Sequence, residues 1–138
     1  VVDTDNRSWL APAGFAGPLM VALHTGFNPV TRIQAQCLAF SVDHGRSFTR
    51  HAGNPVLDIG STEFRDPKVF WHAPTQRWVM LVVKALEQQV WIYTSADLTR
   101  WNRVSPFGPA APATATSGRC PTCSRCRWQG NPAGRNGS

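Results

Sequence analysis

Acidic residues are scarce in this chain: eight Asp and Glu stand against fourteen Lys and Arg in 138 residues, and none follows Asp97. Any chemistry that needs carboxylates has few candidates to draw on. No apolar run is long enough to cross a membrane as a helix, so no membrane partner is expected. No Ser-His-Asp arrangement and no phosphate-cradling glycine loop can be read, which leaves serine-hydrolase and nucleotide-phosphate chemistry without support, and no cofactor is expected. The positive charge is unevenly placed. Residues 1–109 hold ten Lys or Arg against eight acids, a net charge of +2, whereas residues 110–138 hold four Arg and no acid. The surplus belongs to the tail, and the folded part is not expected to bind nucleic acid. The chain starts at Val1, so the lack of a visible signal peptide leaves the compartment, secreted or cytoplasmic, unassigned. Oligomeric state is equally unspecified.

What the chain has in abundance is strand-forming sequence. The run Phe64-Arg65-Asp66-Pro67-Lys68-Val69-Phe70-Trp71-His72 sets an Arg and an Asp at the mouth of a β-forming segment. Asp66 precedes a proline, which disfavours the helical region and predicts extended backbone there. Pro67 suits the first position of a strand, where no ladder hydrogen bond is required of it. A turn at Ala73-Pro74-Thr75-Gln76 leads into Arg77-Trp78-Val79-Met80-Leu81-Val82-Val83, completing a hairpin whose core is expected at Val69, Trp71, Val79 and Leu81.

The pattern repeats. Ser41-Val42-Asp43 and Ser95-Ala96-Asp97 lie 54 residues apart, and each is followed by an Arg and an aromatic residue. Before them come matching strand pairs, Pro18 to His24 with Ile33 to Ser41, and Arg77 to Val83 with Gln89 to Thr94. After them come short outer strands, Ser47 to Arg50 and Arg100 to Val104. A period of about 50 residues with four strands per unit reads as β-propeller blades. The chain is therefore expected to be all-β and to hold about two blades, with Val1-Val2-Asp3 the end of an incomplete inner strand. The Ser and Asp of each repeat are expected to cap local backbone N–H groups.

Taken in order, Asn54-Pro55-Val56-Leu57-Asp58-Ile59-Gly60, Phe64-Arg65-Asp66-Pro67-Lys68-Val69-Phe70-Trp71-His72 and Arg77-Trp78-Val79-Met80 resemble glycoside hydrolase family 32, the invertase, levanase and inulinase group. Val1-Val2-Asp3 with Asn6, His24-Thr25-Gly26, Gln36-Cys37-Leu38-Ala39-Phe40-Ser41 and Phe107-Gly108-Pro109-Ala110 fit the same resemblance, which runs over roughly Val1 to Ala110. It implies a slice of a five-bladed propeller whose substrate is sucrose or a fructan such as levan or inulin. The family resembles the two-carboxylate scheme of glycoside hydrolysis and adds a third carboxylate, the Asp of its Arg-Asp-Pro triplet, as transition-state stabiliser. Asp66 matches that residue, and Arg65 is implied to orient Asp66 or to touch the sugar. A surface ion pair near a turn is the alternative for both.

The nucleophile of the family would precede Val1. A trace of the resemblance returns at Cys120-Pro121, and the family's acid/base Glu, which directly precedes that Cys-Pro, would occupy the position of Arg119, which exchanges no proton near neutrality. Asp43 and Asp97 read as turn residues, Asp58 and Glu63 as loop, Glu87 as turn surface, and His24 and His72 as strand-end residues. The chain by itself is accordingly expected to be inactive. A non-catalytic carbohydrate-binding remnant is the alternative function, and five-bladed glycosidases acting on arabinose polymers fit the Asn54 to His72 run less well.

The division falls between residues 1–109, a partial propeller, and 110–138, a divergent tail expected to be disordered. Ala110 to Gly118 has linker composition. Cys120, Cys123 and Cys126 are spaced as metal ligands but lack a fourth partner, and no metal is expected. A frameshift is the leading account: Cys120 to Trp128 encoded as TGT CCG ACC TGT TCC CGC TGC CGG TGG becomes, with one G added after the second codon, Cys-Pro-Asp-Leu-Phe-Pro-Leu-Pro-Val. That string resembles the stretch after the family's catalytic Glu. A plain linker and a cysteine-rich metal module remain as alternatives.

Overall fold

The computed structural model describes residues 1–108. The chain forms two four-stranded antiparallel meanders. The first holds β1 (Val2–Asp3), β2 (Leu19–Phe27), β3 (Gln34–Ser41) and β4 (Thr49–Arg50); the second holds β5 (Phe64–His72), β6 (Arg77–Lys84), β7 (Gln89–Ser95) and β8 (Asn102–Phe107). Sequence order equals spatial order in both sheets, the arrangement expected of successive propeller blades.

Local chemistry sets the hairpins. Gln76 and Gln88 adopt left-handed backbone (φ 52° and 54°) after short 3-10 turns at Ala73–Thr75 and Ala85–Glu87, reversing the chain between β5, β6 and β7. The two Ser/Asp repeats close the β3–β4 and β7–β8 connections as expected. Ser41 Oγ accepts from the amides of Asp43 and Gly45, and Asp43 accepts from the Ser47 amide. Ser95 Oγ likewise accepts from Asp97 and Leu98, and Asp97 Oδ1 accepts from the amides of Thr99 and Arg100.

The outer strands differ most from expectation. β4 is only Thr49–Arg50, and its line along β3 is continued by other means. The Asn54 side chain bonds both backbone groups of Leu38 at 2.8 Å, and Leu57 bridges to Gln36 farther on. The Asn54 side-chain amide thus satisfies ladder groups that a longer strand would have paired. β8 starts two residues later than predicted and runs to Phe107.

The core lies between the sheets. Leu19, Val21 and Leu38 of the first sheet meet Trp78 of β6 and Leu98 of the second Ser/Asp turn, and a neighbouring cluster joins Phe64, Met80, Val82 and Tyr93. Val69 and Trp71 line this face half-buried, but Val79 and Leu81 do not. The core of β6 is instead Trp78, Met80 and Val82, the alternate residues. Val79 and Leu81 point to the opposite face, with Phe70 paired beside Val79. Nothing in the described residues covers Phe70 and Phe107, which are 39% and 73% exposed.

Candidate functional site

Asp66 sits on a bulge. The β5–β6 register passes from Arg65 opposite Val83 to Lys68 opposite Leu81, so Asp66 and Pro67 together face Val82. Pro67 thus lies inside β5 and not at its first position, in a place where the ladder asks no hydrogen bond of it. The expectation of extended backbone at Asp66 is also corrected: its φ is +60°. The extra residue of the bulge bends the chain, and Asp is among the residues that tolerate the left-handed region, at a cost of about 1–2 kcal/mol for an L-residue.

That conformation is held from the neighbouring blade. The Asp66 amide donates to Thr25 Oγ1 at 3.1 Å, and Thr25 Oγ1 donates to Gln36 Oε1 at 3.3 Å. Gln36, fully buried, donates from Nε2 to the Phe64 carbonyl at 2.8 Å, while Gln34 Oε1 accepts from the Phe64 amide at 3.1 Å. Thr25, Gln34 and Gln36 share the face of the first sheet that meets β5, since Thr25 pairs with Gln36 and Phe27 with Gln34. The Asp66 side chain itself is 75% exposed.

Arg65 is committed elsewhere. Its guanidinium hydrogen-bonds Glu63, and its Nε lies 4.0 Å from Asp66 Oδ2, the outer limit of an ion pair. Glu63, read from sequence as a loop residue, is the principal partner of Arg65. The available signal was the two-residue spacing, which puts both side chains on one side of an extended chain.

No second carboxylate stands free beside Asp66 among the described residues. Asp3 is 1% exposed and fully engaged, accepting from the Arg7 amide, the Ser8 amide and the Ser8 hydroxyl. It pairs with Leu19, six residues along β2 from Thr25, or roughly 20 Å at strand rise. Asp58 accepts from the Gly60 amide and Glu87 pairs with Lys84. His72 is a strand-end residue whose Nδ1 lies 2.7 Å from Thr75 Oγ1. His24, by contrast, lies within β2, three residues from its end, exposed on the face away from Thr25. Cys37 shares that face, and burial raises its thiol pKa above the ordinary value. Arg119 and the cysteines 120, 123 and 126 lie outside the described residues, as does the tail boundary after residue 109.

The sequence profile described as "Glycosyl hydrolases family 32 N-terminal domain" matches residues 1–131, past that compositional boundary. The invertase of Debaryomyces hansenii is 47% identical over 88 residues, covering 64% of this chain and 16% of the invertase. The levanase of Bacillus subtilis is 38% identical over 133 residues, 96% of this chain and 19% of the levanase. The chain thus spans less than a fifth of either relative. Among solved structures, the β-fructofuranosidase of Schwanniomyces occidentalis complexed with fructosyl-erythritol superposes with a TM-score of 0.72 at 41% identity, over 78% of this chain and 21% of that one. The exo-inulinase of Aspergillus awamori gives 0.72 at 34% identity, over 79% and 24%. With two propeller blades in its fold and a family match along nearly its whole length, the chain belongs to glycosyl hydrolase family 32 and carries part of its N-terminal domain.

Proposed function

We propose that this chain is a portion of an enzyme that cleaves β-fructofuranosyl linkages in sucrose or a fructan, and that Asp66 is its transition-state-stabilising carboxylate, with Arg65 as a sugar-contacting neighbour. The observation that carries the reading is the bulge: an exposed carboxylate on the inner strand of a blade, kept in a left-handed conformation by a hydrogen bond from the adjacent blade. Backbone strain maintained by surrounding structure is a mark of functional positions. The relatives are named invertase and levanase, which supplies the reaction class. Glycoside cleavage passes through an oxocarbenium-like state, and a carboxylate that grips sugar hydroxyls strengthens its hold as positive charge develops on the ring. The Arg65–Glu63 pair leaves the guanidinium's remaining N–H groups available to hydroxyl oxygens.

The test uses a chimera in which residues 1–108 of this chain replace the matching segment of the Debaryomyces hansenii invertase, which keeps its own sequence elsewhere, chosen so that the unsubstituted chimera hydrolyses sucrose. Asp66→Asn should lower kcat at least about a hundredfold, near 3 kcal/mol, while the melting temperature barely moves, because the amide is isosteric. Loss of folding with an unchanged rate in the folded fraction would make Asp66 a turn residue and nothing more. The chain by itself should release no fructose from sucrose, inulin or levan, since its other carboxylates are buried, capped or ion-paired. Turnover abolished by Asp66→Ala in that chain would overturn this part.

A further inference from the structure

The hydrogen bonds that reach Asp66 from the first sheet form a chain with one direction. Gln36 is fixed at its far end: its backbone N–H donates to the Leu57 carbonyl at 2.8 Å, its carbonyl accepts from Val56 at 2.9 Å, and its side-chain amide donates to the Phe64 carbonyl. Its Oε1 is thereby aimed at Thr25. A hydroxyl has a single proton. Once the Thr25 proton is given to Gln36, the lone pairs of Oγ1 face outward and accept the Asp66 amide. Gln34 holds the Phe64 amide, so three side chains of one blade secure both backbone groups of Phe64 and the amide of Asp66 on the next.

The geometry points to Thr25, oriented by Gln36, as a positioning residue for the Asp66 carboxylate. A residue at a bulge has no ladder partner to set its direction, and the Asp66 side chain is too exposed for packing to do so. The hydrogen bond from its backbone N–H to Thr25 Oγ1 is its principal anchor, since the remaining contact, to Arg65, stands at 4.0 Å. Small misplacements of a catalytic group have large rate effects. This inference rests on the reading of Asp66 as the transition-state carboxylate, and its test separates the two.

In the same chimera, Thr25→Val removes the hydroxyl and keeps the shape. It should lower kcat by about tenfold with KM changed less than about threefold, and Thr25→Ser, which restores the hydroxyl, should recover most of the rate. In an Asp66→Asn background, Thr25→Val should change kcat by no more than about twofold, because a residue that acts only through Asp66 has nothing left to act through. A merely structural residue would give equal losses in both backgrounds. If Thr25→Val fails to fold, Thr25→Ala supplies the same comparison without the added methyl, with rates referred to the folded fraction. Additive losses, or no rescue by Ser, would overturn the assignment of Thr25 while leaving Asp66 in place. An Asp66→Asn chimera with full activity would overturn the underlying reading instead.

Discussion

Asp97 and Asp43 occupy equivalent turns but meet different surroundings. Partial burial pushes the Asp97 carboxyl up, and the amides of Arg100 and Thr99 with the hydroxyls of Thr99 and Ser95 more than offset it, leaving the pKa below its ordinary value. Asp43 is lowered farther, first by Ser47 and Ser41. A carboxylate depressed in the folded state contributes stability that is complete above its unfolded pKa, about 3.9, and is lost as pH falls through the folded value. Thermal melting followed from pH 6 to pH 2.5 should therefore decline below about pH 4, and the decline should be shallower in an Asp43→Asn, Asp97→Asn double variant. An unchanged slope would mean the turns are indifferent to their charge. At the same scale, the Arg-Asp-Pro triplet brought Asp66 and Arg65 into view from sequence alone. Thr25 and Gln36 entered only as part of the resemblance, and their tie to Asp66 stayed hidden because their bonds to β5 cross 41 and 28 residues, which no local spacing encodes.

Among the elements, the six longer strands were readable because aromatic and β-branched runs alternate with turn chemistry. The buried face of β6 was not. Arg77-Trp78-Val79-Met80-Leu81-Val82-Val83 is apolar at six consecutive positions, so its period of two carries no polar mark to say which set points inward. The structure assigns Trp78, Met80 and Val82 to the intersheet core. Met80→Ala should cost about 2–5 kcal/mol in this chain, whereas Val79→Ala should cost less than about 1 kcal/mol. Chemical denaturation of the two variants compares them directly, and equal losses would return the core to Val79. The shortness of β4 was likewise hidden, since the amide of Asn54 substitutes for strand pairing from sixteen residues away.

As a whole, residues 1–108 are two blades packed through one interface, with the far face of the second sheet bare at Phe70 and Phe107. A five-bladed propeller would set a further blade on that face, so the small cost of Val79→Ala should grow in the chimera, as it does when a neighbour buries a side chain. The bonds to β5 also bear on how the molecule folds. Each meander closes by hairpins between adjacent segments, a local and rapid event. The Thr25–Asp66 and Gln36–Phe64 bonds join different meanders, and the entropy of closing that long loop must be met before they contribute. The Asp66 carboxylate therefore takes its final bearing only when the blades dock: a folding intermediate with both meanders formed would have its strands in register and Asp66 still unset, making the setting of Asp66, rather than recovery of β-structure, the last event of refolding.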